Sequence, residues 1–217
     1  MYHSNPAAPT AALPEEEFER LAGQMYVGLR AGVVDCEAAF DLACWLLEWG
    51  QPDPAAEELA MLAVEGSDQD RMARLARQVL VASAFEPGFD VEPSRLAVLQ
   101  EALEAVRSDM QATGLPGPVR LVVPEWSHPP HAYVEFRDRG YGSTTGIAPQ
   151  IGSNRLWALV SVADETQDSV METLKGVWPV CPVHQLGAHS REHEGKAVWW
   201  CNGDGGHVIA AIGTWND

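Results

Sequence analysis

The spacing of apolar residues changes once along this 217-residue chain, and the change limits the folds open to it. From Pro14 to about Met110, apolar residues recur every three or four positions, as they do on one face of a helix. After the turn-rich segment GLPGP (114–118), short runs alternate in the manner of strands. We therefore predict an α+β protein, with an all-α helical bundle followed by a small mixed domain that contains an antiparallel sheet.

About five helices are predicted before residue 114, joined by short loops as in an antiparallel bundle. Four of the five starts carry an N-terminal signal, and the second helix is placed at 35–49 by its apolar spacing alone. The signals are Pro14 before three glutamates, Asp53 with Pro54, Ser67 with Asp70, and Ser94. The predicted organisation is a disordered tail (1–13), an acidic bundle (14–113), a hinge (114–118) and an α+β domain (119–217).

The second part is predicted to hold five strands and one helix. The strands are VRLVV (119–123), HAYVEF (131–136), RLWALVSV (155–162), KAVWWC (196–201) and HVIAAIG (207–213). The helix, DETQDSVMETLKG, is predicted to begin at a cap formed by Asp164. GYGSTTG (140–146) is predicted to be a hairpin or loop, because its spacing is not that of a phosphate-binding loop and no lysine follows it.

The net charge of −17 restricts the class of partner. Acidic residues outnumber basic ones 20 to 7 over residues 1–113 and 11 to 7 over residues 114–217. Such a surface repels phosphate backbones and anionic lipid, so we expect neither nucleic acid nor a membrane as partner. The N-terminus lacks the basic flank and apolar core of a signal peptide. We therefore expect a cytoplasmic protein with reduced cysteines.

Two of the four cysteines fall within one predicted helix. Cys36 and Cys44 are eight residues apart, which corresponds to a rise of about 12 Å along a helix. Because a disulfide tolerates a much shorter separation, we predict that these two thiols are not joined.

The other two cysteines have the neighbours of a zinc site. Cys181 and His184 flank a proline turn in CPVH, and Cys201 and His207 flank the glycine-rich loop of CNGDGGH. Thiolate and imidazole together suit a tetrahedral zinc ion, so a structural zinc is the expected metal. Two other interpretations stay open. The thiols can be small buried hydrophobic groups without a metal, or Cys181 and His207 can serve a hydrolase as nucleophile and base.

The segment W-P-V-C-P-V-H…V-W-W-C…G-G-H-V-I-A-A-I-G resembles the C-terminal module of uncharacterised bacterial proteins with a zinc-ribbon-like appearance, over residues 177–213 only. The resemblance implies no activity. It places three residues at knuckle positions, namely Cys181, His184 and Cys201. The fourth ligand stays open, because five residues separate Cys201 from His207 whereas a ribbon usually has two. His189 or His193 could replace His207.

Four tryptophans are candidate binding residues: Trp157, Trp178, Trp199 and Trp200. Trp199 and Trp200 are adjacent in a predicted strand and must point to opposite faces of the sheet. One of them can fill the core, and the other needs cover from a helix, the first domain or a partner. Packing within the protein and a platform for a partner both account for this aromatic content.

The sequence as a whole favours a non-enzymatic protein that acts by protein–protein interaction or regulation. One alternative is an acidic inhibitor or immunity-type protein whose bundle covers a basic active site. Another is a hydrolase that uses the C-terminal Cys/His cluster. A hydrolytic metal centre built from Glu125, His128, His131 and Glu135 is disfavoured, because prolines break this segment and keep the histidines off a common helical face.

Overall fold

The computed structural model describes residues 14–49, 53–66, 68–127 and 129–215. The chain divides into two compact units, residues 1–87 and residues 88–217. The predicted disordered tail, 1–13, lies outside the described residues. Within the described part no helix is both long enough and apolar enough to cross a membrane.

The described residues of the first unit form four helices around an apolar core. They are α1 (Pro14–Ala31), α2 (Cys36–Trp49), α3 (Pro54–Glu65) and α4 (Gln69–Ala82). Asp53 caps α3 as predicted, since its carboxylate accepts the N–H of Ala55. Asp68 caps α4 by accepting the N–H of Arg71, and Ser67, the predicted cap, lies outside the described residues.

The second unit combines two long helices with two three-stranded antiparallel sheets. Its elements are α5 (Pro93–Ala112), β1 (Val119–Val122), β2 (Tyr133–Phe136), β3 (Arg139–Tyr141), α6 (Arg155–Leu174), β4 (Ala188–His193), β5 (Lys196–Cys201) and β6 (His207–Ala211). The strand orders are β1-β2-β3 and β4-β5-β6. Among the described residues, five α-helices end before residue 113, α6 follows them, and all strands lie after residue 118, so the predicted α+β class is confirmed.

The division between the units lies earlier in the chain than the predicted hinge. Helix α5 was assigned to the N-terminal bundle, yet it belongs to the second unit, where it packs along α6 and contacts β1. Its buried residues Leu99, Leu103 and Val106 share one core with Val162 and Trp199. Helical periodicity in a sequence predicts that a segment forms a helix, but it does not predict which hydrophobic core the helix packs into.

The predicted strand 155–162 is wrong, because these residues form the first half of α6. Asn154 caps the helix with its side-chain oxygen, which accepts the N–H groups of Leu156 and Trp157. The predicted cap at Asp164 is therefore also wrong. Helix α6 contacts α5 and strands of both sheets, and the nearly continuous apolar run in the sequence of its first half is also typical of a strand.

Strand β4 was not predicted. Its sequence, AHSREH, is mostly polar and lacks the β-branched residues that mark a strand. It pairs along its whole length with β5, from Ala188 opposite Cys201 to His193 opposite Lys196. This pairing positions the candidate metal ligands.

Candidate metal centre

The first half of the site is a tight hairpin that presents Cys181 and His184. Val180 and Gly187 form an isolated antiparallel bridge. Within it, Cys181 donates its N–H to Leu186 O at 2.8 Å and accepts the N–H of Gln185 at 2.9 Å. Pro182 follows Cys181 and fixes the direction of the chain. The hairpin thus fixes the backbone on both sides of His184.

The second half is the connection between β5 and β6. Cys201 ends β5 and lies opposite His207, which begins β6. Gly206 has a φ of +85°, and a Cβ there would come within 2.5 Å of the Trp200 ring. A Cβ at Gly203 would lie 2.5 Å from the His184 ring. Glycine at these positions lets the loop close against the first hairpin.

The two halves meet because Ala188, directly after the first hairpin, pairs with Cys201. One ligand atom from each of four residues then lies within 4.8 Å of every other: Cys181, His184, Cys201 and His207. The predicted convergence of Cys181, His184 and Cys201 is confirmed, and the cluster is compatible with a metal-binding module. All four cysteines of the chain are free, as predicted for Cys36 and Cys44.

The spacings within the cluster match those of a tetrahedral zinc site. His184 Nδ1 lies 3.8 Å from Cys181 Sγ and 3.4 Å from Cys201 Sγ. His207 Nε2 lies 3.6 Å from Cys181 Sγ. In a regular tetrahedron with Zn–S of about 2.3 Å and Zn–N of about 2.1 Å, a sulfur and a nitrogen are about 3.6 Å apart. These three sulfur–nitrogen distances therefore fit a tetrahedral zinc ion.

Both sulfurs are fully buried, and backbone N–H groups point at them. Gly203 N–H donates to Cys201 Sγ at 3.3 Å. Burial raises the pKa of the Cys181 thiol, but the N–H groups of Val183 and His184 and the His184 ring outweigh it and lower that pKa to about 6. The pKa of Cys201 is raised, chiefly by burial. The cluster thus already favours a thiolate at Cys181, the form that binds a metal.

Asp204 holds the far side of the His184 ring. Its carboxylate lies 3.1 Å from His184 Nε2, so the other ring nitrogen, Nδ1, faces the two sulfurs. Interaction with Cys181, and then with Asp204, raises the pKa of His184. A carboxylate that accepts from the outer nitrogen of a histidine orients the ring and fixes the tautomer in many metal sites.

The alternative ligands His189 and His193 are not in the cluster. Both lie on β4, where His189 is exposed and the His193 ring packs 5.0 Å from the Trp200 ring. The hydrolytic metal centre considered above, built from Glu125, His128, His131 and Glu135, is not assembled among the described residues. His131 Nδ1 contacts Thr145 O at 2.6 Å, Glu135 pairs with Arg120, and His128 lies outside the described part.

Two of the four candidate binding tryptophans are core residues. Trp178 and Trp199 are buried, with ring centroids 5.4 Å apart. Trp178 Nε1 donates to Thr113 Oγ1, and Trp199 Nε1 donates to Asp109. Neither ring forms an open platform. Trp157 is 52% exposed, and Trp200 is half-buried, so these two stay candidates for contact with a partner.

Two buried carboxylates of the second unit were not predicted from the sequence. Asp109 accepts three hydrogen bonds, from Trp199 Nε1, Gly213 N–H and Trp215 N–H. Glu165 has one carboxylate oxygen, Oε1, without a hydrogen-bond partner. Burial raises the pKa of Glu165 to about 7, and a hydrogen bond from Ser143 opposes this shift. Each acid stands in an ordinary helical sequence, and no local signal marks either.

Comparisons of the chain with models of known protein families, with curated proteins and with solved structures give no match. The resemblance to a zinc-ribbon-like module is therefore supported only as far as the Cys/His cluster itself.

Proposed function

We propose that this protein is a non-enzymatic interaction protein whose second unit is stabilised by one structural zinc ion. The observation that carries the proposal is the mutual approach, within 4.8 Å, of Cys181, His184, Cys201 and His207. Two thiolates and two imidazoles are the donor set that zinc prefers in tetrahedral structural sites.

The number of protein ligands favours a structural role over a hydrolytic one. A catalytic zinc ion keeps one position for water or substrate, whereas four protein ligands fill the tetrahedron. Both thiols are also fully buried, which disfavours Cys181 as a nucleophile that a substrate must reach.

The position of the site suggests what the ion would stabilise. It would join the hairpin around residues 180–187 to the β5–β6 connection. An ion at this point would hold the outer part of the β4–β6 sheet in one conformation. A rigid sheet face is a suitable base for recognition of another protein.

The experiment is metal analysis of protein purified without a histidine tag, combined with thermal unfolding. We expect one zinc per chain, and its loss in the Cys181→Ser and Cys201→Ser variants. The matched controls, Cys36→Ser and Cys44→Ser, remove thiols from α2 and should retain the ion. A full complement of zinc in Cys201→Ser, or none in the unaltered protein, would refute the proposal.

A further inference from the structure

One face of the β4–β6 sheet carries unpaired positive charge. Ala197 and Trp199 of β5 point into the core, where β4 and β5 pack against α6. Lys196, Val198 and Trp200 alternate with them on the opposite face, where Val198 is buried, Lys196 is exposed and Trp200 is half-buried. The strand register adds further outward residues from β4 and β6. We call this set the basic face: His189, Arg191, His193, Lys196, Trp200 and Val208.

The cations of the basic face are available to a partner. Neither Arg191 nor Lys196 forms an ion pair with a carboxylate in the described part of the chain. Six other basic residues do pair with acids: Arg20, Arg71, Arg107, Arg120, Arg155 and Lys175. Arg137 and Arg139 of the same unit likewise form no ion pair with a carboxylate within the described residues, but they lie outside the basic face. The alternation places no carboxylate on the outward positions of the three strands.

An apolar centre lies among the side chains of the basic face and contacts two of them. The Arg191 guanidinium lies 4.8 Å from the centroid of the Trp200 ring, and the His193 ring lies 5.0 Å from it. Val208 is the register partner of Trp200 and is 39% exposed. Because Trp200 is already fixed by these contacts, little side-chain entropy would be lost when a partner binds.

We propose that the basic face is a docking surface for a short acidic protein segment that also carries apolar side chains. Its carboxylates would contact Arg191 and Lys196, and an apolar residue would cover Trp200 and Val208. The proposal rests on the proposed function, since the zinc-linked hairpins hold one end of this sheet, and it names the chemistry of the partner.

Charge favours a peptide over a nucleic acid as the occupant. The second unit has 16 acidic and 9 basic residues, so a polyphosphate that ran beyond the basic face would meet repulsion. A short peptide can confine its negative charge to the face. Arg191 and His193 also contact the Trp200 ring already, which leaves less of it for a base to stack on.

The test uses the full-length zinc-loaded protein and a labelled twelve-residue peptide in which glutamate alternates with leucine and alanine. We expect fluorescence anisotropy to report binding that weakens as salt is added. A peptide with glutamine in place of glutamate should bind at least about ten-fold more weakly. Equal binding of the two peptides would overturn the proposal, as would tighter binding of a twelve-nucleotide single-stranded RNA.

Matched variants locate the surface. Arg191→Gln with Lys196→Gln should weaken peptide binding about ten-fold, and Lys196→Gln alone serves as a milder variant if Arg191 is needed for folding. The control is Arg137→Gln with Arg139→Gln, which removes the same charge from the same unit and includes an arginine 4.8 Å above Phe136. An equal loss in this control would overturn the proposal.

Metal content measured in the same samples separates the two proposals. If the protein holds one zinc but binds no acidic peptide, the docking surface is refuted and the structural zinc stands. If it binds the peptide at the basic face without zinc, the proposed metal role is refuted and the docking surface stands.

Discussion

The two units of the molecule are stabilised by different kinds of core. Among the described residues of the first unit, every buried side chain is apolar. The second unit buries two thiols and six polar residues: Asp109, Ser127, Glu165, Thr166, Gln167 and Ser169. An apolar core responds to temperature and denaturant, but buried ionisable groups add a response to pH and to metal. The two halves of one chain should therefore be separable by conditions that affect only one of them.

Removal of zinc should produce the largest difference between the units. With the proposed ion removed by a chelator, or in Cys181→Ser, we expect unfolding of the second unit to shift down by more than about 10 °C, because a structural ion supplies folding free energy. The first unit should unfold at its original temperature. Differential scanning calorimetry, with Cys44→Ser as control, measures both transitions, and equal shifts would show that the cores are not independent.

Loss of the Asp109 carboxylate should have the next largest effect. Asp109→Ala leaves three buried or half-buried donors without an acceptor, so we expect a loss of about 3 kcal/mol in the free energy of unfolding. Urea denaturation measures this loss. Asp53→Ala, which removes only a helix cap in the first unit, should cost about 1 kcal/mol and provides the comparison.

Glu165 should make the second unit less stable as pH rises. Its pKa in the folded state, about 7, lies above the ordinary value of 4.5, so the folded state binds the proton more tightly than the unfolded state. The contribution of Glu165 to the free energy of unfolding is fully present below pH 4.5 and is lost as the pH rises from 4.5 to 7. In Glu165→Gln, we expect that loss, about 2 kcal/mol, to be absent. Denaturation at pH 5 and pH 8 tests this, and an identical pH dependence of variant and unaltered protein would contradict it.

The smallest expected effect concerns Asp204, which contacts the His184 ring but is itself exposed. Asp204→Asn should weaken zinc binding about ten-fold, because the ring loses a charged acceptor that orients it. Competition with a chromophoric chelator measures the affinity. Glu194→Gln, on the turn between β4 and β5, removes a charge without contact to the ring and should leave the affinity unchanged.

Most helices of the fold could be predicted from the sequence, but the assignment of α5 to its core could not. Helices α1 to α5 were predicted because each has one apolar face. The first half of α6 was predicted to be a strand because its apolar residues form a nearly continuous run in the sequence. The periodicity of α5 could not reveal that Leu99 and Val106 enter the second core, since that depends on contacts distant in sequence.

The candidate site was predictable in type but not in detail. Cys181, His184 and Cys201 have local spacings that suggest a shared ion. The choice of His207 over His189 depends on the register of β4, which places His189 opposite Trp200. The buried acids were hidden for the same reason, since Asp109 meets its donors 104 and 106 residues later in the chain.

The bond between Asp109 and the backbone of Gly213 and Trp215 has a consequence for how the protein is made. Domains generally fold as units while the chain leaves the ribosome, N-terminal part first. The first unit has all of its residues by position 87 and can fold early. The second unit cannot satisfy Asp109, in the middle of α5, until residues 213–215 have been synthesised and released. Helices α5 and α6 are therefore synthesised before the residues that complete their core. We expect chaperones that bind nascent chains to stay bound to the second unit for longer than to the first.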